Sequence, residues 1–124
     1  MLDGNLNELG RLAAEAERFC RQCSLGEEVQ FDLNLVLEEL FINAVRHGGC
    51  EGMEKAVRVR IEAGEDELRV DFRDRGIAFD PTTAPQPDLS RIGGLGIHLV
   101  RELMRDFHYQ RTSEWNRITM WRPL

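Results

Sequence analysis

Several things are scarce in this sequence of 124 residues, and each scarcity closes a class of function. No apolar run approaches the roughly 20 residues needed to cross a bilayer as a helix. The opening MLDGNLNELG has neither the basic nor the apolar region of a signal peptide, so the expected location is the cytoplasm, with no membrane partner. Lysines and arginines form no contiguous cluster, and the net charge is -6. Direct nucleic-acid binding, which needs a basic stripe, is not expected. Cysteines number three, an odd count that suits a reducing compartment. Cys20-x-x-Cys23 falls late in a helical pattern, and a zinc site would have to draw on Cys50 and His47, so buried thiols are the expectation. Internal repeats, low-complexity tracts and linkers are also missing, which leaves one compact domain over 1–124.

What is present is organised around one stretch, Leu33 to Gly48 (LNLVLEELFINAVRHG). On a helical wheel Leu33, Val36, Leu37, Leu40, Phe41 and Ala44 form an apolar stripe, with Val45 near its rim. Glu39, Asn43, Arg46 and His47 gather within an arc of about 100° at one border of that stripe. Glu39 and Asn43 share a face; Glu38 lies on the far border. Asp32 is the expected N-cap, and Gly48-Gly49 the stop.

Upstream, Leu6, Leu9, Leu12, Ala13, Ala16, Phe19, Cys20 and Cys23 recur at helical spacing, so a first helix runs from about Asn5 to Cys23. Downstream, AVRVRIEA and ELRVDFRD alternate around a GEDE turn, which predicts an antiparallel hairpin. Val57, Val59 and Ile61 of one strand, and Leu68, Val70 and Phe72 of the other, should face the core. Asp74 continues that parity, so a carboxylate points inward and needs a partner. A polar, Pro-rich stretch over 82–91 leads to Gly93-Gly94-Leu95-Gly96, where a third helix starts. Helix N-terminal amides flanked by glycines suit an anion. FHYQRT, a turn at Ser113 to Asn116, and RITMW would add a second hairpin. Three helices covering one face of a mixed, mainly antiparallel sheet of about four strands make a two-layer α/β sandwich of the α+β class.

Three separated motifs stand in fixed order: Glu39-x-x-x-Asn43, Asp74-x-Gly76-x-x-Phe79-Asp80-Pro81, and Gly93-Gly94-Leu95-Gly96-Ile97. Together they resemble the N box (39–48), G1 box (74–81) and G2 box (93–97) of the GHKL ATPases, with a short lid over 82–92. NAVRHG and the DxGxxFDP form look most like the RsbW-type anti-sigma-factor serine kinases. The resemblance implies the Bergerat ATP-binding fold with ATP and Mg²⁺ as cofactors. In that reading Asn43 holds Mg²⁺, Glu39 is the general base, and Asp74 accepts from the adenine amino group. Gly76 lets the backbone approach the base, and Ile77 and Phe79 shape the pocket. Gly93, Gly94, Leu95, Gly96 and Ile97 cradle the phosphates, reached also by Arg46 and His47. Thr119 matches a last-strand residue near adenine.

The implied activity is phosphorylation of a serine on an anti-sigma-factor antagonist (STAS-like) in a bacterial partner-switching system, with a sigma factor as a further partner and a homodimer as one assembly. The other readings are an ATP-binding regulatory module that switches partner binding without kinase activity, and a scaffold that has lost the nucleotide. Two departures are visible. MLDG is too short for the strand that opens RsbW-type domains, and no phospho-accepting helical hairpin precedes the domain, so histidine autophosphorylation in cis is not expected.

Overall fold

The computed structural model describes residues 1–78 and 94–124, with the side chains of 94–96 excepted. Phe79, Asp80, Pro81, the lid over 82–92 and Gly93 therefore lie outside the described residues.

After a 3-10 turn at Leu6–Glu8, capped by the Asn5 side chain, helix α1 spans Leu9–Gln22 and buries Leu12, Ala16 and Cys20. It ends where Ser24 turns left-handed at φ 55°, and the Leu25 amide closes on the Cys20 carbonyl at 2.9 Å. Cys20 and Cys50 are buried as expected, whereas Cys23 is exposed at this end.

Helix α2 spans Glu27–Arg46. It begins before Leu33, and its N-cap is Gly26, not Asp32. Glu27 and Glu28 occupy the first turn, where carboxylates complement the free amides and the helix dipole. Asp32 sits inside the helix and receives Arg122 from the last strand, with Nε to Oδ2 at 2.9 Å and Nη2 to Oδ2 at 2.8 Å. The predicted stripe of Leu33, Val36, Leu37, Leu40, Phe41 and Ala44 is buried, and so is Val45. The helix ends with the His47 and Gly48 amides both donating to the Asn43 carbonyl at 2.9 Å, and Gly49 takes φ +82°.

Strands β1 (Val57–Ala63) and β2 (Glu67–Asp74) form the expected hairpin, in a register that pairs Val57 with Asp74 and Ala63 with Leu68. Helix α3 (Gly94–Leu103) precedes β3 (Arg105–Thr112) and β4 (Trp115–Pro123). The second hairpin turns on Ser113 and Glu114 alone, with Thr112 paired to Trp115. Asn116 is thus a strand residue rather than part of the turn. The sheet order is β1-β2-β4-β3, and every pairing among the four is antiparallel. Leu2 adds an isolated antiparallel bridge to Val57, with N···O distances of 2.8 and 3.0 Å.

One sheet face supplies Val57, Leu68, Val70, Phe72, Ile118 and Met120 to a core completed by the helices. Val59 and Ile61 are half-buried against it. This is the two-layer α+β sandwich. Asp74 and its cross-strand partner Asn116 share the parity of that core face, so polar groups emerge at one end of an otherwise apolar layer.

Candidate functional site

Asp74 closes β2 with only 8% of its surface exposed. Its Oδ1 accepts from the Gly76 amide at 2.9 Å and from Asn116 Nδ2 at 3.0 Å. Burial pushes the Asp74 carboxyl above its ordinary range, opposed by the bonds from Asn116 and Gly76 and by the charge of Arg111. Asn116 is the hub of this corner. Its Nδ2 also reaches the carbonyls of Ile77 at 2.7 Å and Gly76 at 3.3 Å, and its Oδ1 accepts from the Tyr109 hydroxyl at 2.6 Å. Arg111 Nη1 donates to the Gly76 carbonyl at 2.7 Å.

The turn after β2 is fixed from the helix side as well. The Ile77 amide donates to the Gly48 carbonyl at 2.8 Å, and the Arg75 amide to Ala56 at 3.0 Å. A Cβ on residue 76 would stand 2.4 Å from the Gly48 oxygen and 2.8 Å from Asp74 Oδ1, so only glycine allows this approach. Ile77 is left 64% exposed, an apolar side chain held open beside a buried acid. Cys50 lies behind Asp74; burial first, then the Asp74 charge, push its thiol up to about 11, against an opposing hydrogen bond from the Arg75 backbone. It is no nucleophile at neutral pH.

On α2, Glu39 is half-buried while Glu38 is exposed. Burial, with a smaller contribution from Glu38, raises the Glu39 carboxyl above its ordinary value, the direction a general base needs. Asn43 Nδ2 is buried with no hydrogen-bond partner among the described residues. A buried amide group left unpaired costs about 1–3 kcal/mol, and Arg69 Nε and Arg75 Nε are unpartnered in the same way among the described residues. Arg46 and His47 are exposed at the helix end.

Placement of the predicted residues follows from these contacts. The Gly48–Ile77 bond joins the end of the Glu39-to-Gly48 segment directly to the Asp74–Gly76 turn. Gly94, Leu95 and Gly96 form the first turn of α3, whose opening amides have no partner within the helix. The Ile97 side chain is buried in the core. Phe79 and Gly93 are outside the described residues. Thr119 does not join the site. It pairs with Asp71 on β2 and with His108 on β3, three positions from Asp74 and hence on the opposite face of the sheet. The last-strand residue at the buried acid is Asn116, with Tyr109 and Arg111 behind it. None of these three is apparent without the β2–β4 register; with it, Asn116 lies directly across from Asp74.

A buried acid at a strand end, a glycine turn beside it, and a polar helix edge joined to that turn form one continuous polar corner. The sequence model of the histidine kinase-like ATPase domain matches residues 2–122, and the chain belongs to that family, as an RsbW-type member of the GHKL superfamily. Among its relatives, the serine/threonine-protein kinase BtrW of Bordetella bronchiseptica is 33% identical over 98 residues, covering 74% of this chain and 69% of the relative. The serine-protein kinase RsbW of Bacillus pumilus is 34% identical over 99 residues, covering 70% and 60%. The chain thus spans about two thirds of the length of these relatives. Among solved structures, the histidine kinase domain of a blue-light activated histidine kinase from Erythrobacter litoralis shares the fold, with a TM-score of 0.59, 19% identity, and coverage of 94% of this chain and 59% of that one. No helix among the described residues is long and apolar enough to cross a membrane.

Proposed function

We propose that the chain binds ATP with Mg²⁺ and transfers the γ-phosphoryl group to a serine of a protein partner. The partner class is an anti-sigma-factor antagonist of STAS-like fold, in a switching system that includes a sigma factor. The observation that carries this reading is the buried Asp74, locked by Gly76 and Asn116 onto a turn that is itself bonded to the end of the helix bearing Glu39 and Asn43. The names and family of the relatives support it.

Both described hydrogen bonds to Asp74 fall on Oδ1, which leaves Oδ2 to accept from an adenine amino group. The exposed Ile77 side chain packs against the base, and the family resemblance assigns Phe79 to the same pocket. Asn43 suits a metal role through its side-chain carbonyl oxygen, the hard donor Mg²⁺ requires, while its unpartnered Nδ2 is free to donate to a phosphate oxygen. When bound, Mg²⁺ neutralises phosphate charge. The amides of Gly94, Leu95, Gly96 and Ile97, at the start of α3, stabilise negative charge on the phosphates, as do Arg46 and His47, and the resemblance adds Gly93 to this set.

Glu39 accepts the proton of the serine hydroxyl as its oxygen attacks the γ-phosphorus, the bond from that phosphorus to the β–γ bridging oxygen breaks, and ADP leaves. Its raised proton affinity makes that transfer more favourable. With water in place of serine the same groups would hydrolyse ATP, so the acceptor decides the outcome. The test is transfer of labelled γ-phosphate to a STAS-fold antagonist from the same genome. Wild type labels one serine, and Glu39→Gln binds ATP equally but loses transfer by roughly a hundredfold or more, the usual scale of a general base. An unchanged transfer rate in Glu39→Gln refutes the base, and ATP binding with no transfer to any antagonist refutes the kinase.

A further inference from the structure

The sheet face turned away from the helices carries an arginine ladder that the linear sequence conceals. In the register, Arg58 on β1 pairs with Arg73 on β2, and Arg73 pairs with Arg117 on β4. Three like charges therefore stand side by side across adjacent strands, an arrangement that disfavours folding on its own. The next row adds Arg60, paired with Asp71. Asp71 is 5% exposed and takes Arg73 Nε on Oδ1 at 3.1 Å, and Arg117 Nε and Nη2 on Oδ2 at 2.8 and 2.6 Å. One carboxylate is thus shared by two guanidinium groups, while Arg58 and Arg60 remain exposed. These two rows hold four arginines against one acid, in a chain whose net charge is -6.

We infer that this outer sheet face is a docking surface for an acidic segment of a partner protein. Charge complementarity selects the occupant: carboxylates laid over the ladder relieve the repulsion among Arg58, Arg73 and Arg117 and meet the planar, bidentate geometry of guanidinium. Trp121 borders the patch, with the Arg69 guanidinium 5.8 Å above its ring, and arginine with tryptophan is the composition of binding hot spots. A second copy of the chain is a poor occupant, because two-fold packing of one patch on itself sets arginines against arginines. Nucleic acid is disfavoured too. The ladder is about 10 Å wide, two strand spacings, with Asp71 at its centre and an acidic molecule around it, rather than a continuous basic stripe. The surface lies on the sheet face opposite Asp74, so it does not rest on the nucleotide reading.

The test uses the full chain and a fluorescein-labelled peptide of about a dozen residues rich in Glu and Asp, followed by anisotropy. Arg58→Glu combined with Arg60→Glu changes two exposed side chains and leaves the Asp71 ion pairs in place. Wild type binds the peptide, with affinity falling as salt rises, and the double variant binds roughly tenfold or more weakly. The double variant in turn gains binding to a matched Lys-rich peptide and still unfolds in one cooperative transition, and Asp74→Asn leaves peptide binding unchanged. Equal binding by wild type and double variant overturns the inference. So does tighter wild-type binding to a single-stranded oligonucleotide or to phosphatidylserine vesicles than to the peptide, or sedimentation showing a wild-type dimer that the double variant loses.

Discussion

Asn116 Nδ2 stands 3.0 Å from Asp74 Oδ1, and this bond joins the last strand to the acid on which the nucleotide reading turns. Asn116 also holds the carbonyls of Gly76 and Ile77 and accepts from Tyr109, all while 3% exposed. Asn116→Ala should lower stability by about 2–4 kcal/mol, as several buried polar groups lose their partner together. Asn116→Asp should be worse at neutral pH and recover on acidification, since two carboxylates at this separation cannot both ionise cheaply. Urea melts across pH check both; an Asn116→Asp protein whose stability ignores pH would contradict the account.

Gly76→Ala forces a Cβ to within 2.4 Å of the Gly48 oxygen, a backbone atom that cannot rotate away. The expected loss is about 2 kcal/mol or more, because the turn must leave the helix end or the helix end must move. Thermal unfolding measures it. Ordinary stability in this variant would mean that the Gly48–Ile77 junction is loose in solution.

The raised Asp74 carboxyl has a signed consequence. A carboxyl whose folded-state pKa exceeds its unfolded value contributes stability that is complete below the unfolded pKa and is lost as pH rises through the folded one. Glu39 acts in the same direction. Without nucleotide, Asp74→Asn should therefore melt at or above wild type at pH 7, and wild type should gain on it as pH falls. A variant that is less stable than wild type at pH 7 and catches up only as pH falls would reverse the sign.

Arg122 ties the end of β4 to α2 through Asp32, with side chains 13% and 14% exposed. Removing one partner of such a pair costs about 3–5 kcal/mol, because the other is left buried and charged. Arg122→Ala should show that loss, and Arg122→Met combined with Asp32→Leu should recover most of it. Chemical denaturation of the single and double variants decides the matter.

The stripe of α2 was legible in the sequence because Leu33, Val36, Leu37, Leu40, Phe41 and Ala44 repeat with the helical period, and all are buried. Its true start was not, since Phe31 is 68% exposed and Val29 only half-buried, so the periodicity fades before Gly26. Alternation alone put Asp74 on the inner face. It failed for β4, where Asn116 belongs to the strand opposite Asp74 rather than to the turn, and Thr119, matched by resemblance, faces outward. The arginine ladder could not be read at all: its members are far apart in the chain, and only the register of three strands brings them into a row.

The most direct test of the nucleotide site is calorimetric titration of ATP and ADP, with and without Mg²⁺, into wild type, Asn43→Ala and Asp74→Asn. The account predicts Mg²⁺-dependent binding by wild type, weaker binding by Asn43→Ala with its Mg²⁺ dependence gone, and no measurable binding by a folded Asp74→Asn. Wild-type protein that takes up neither nucleotide, or an Asp74→Asn protein that binds both as well as wild type, would contradict it.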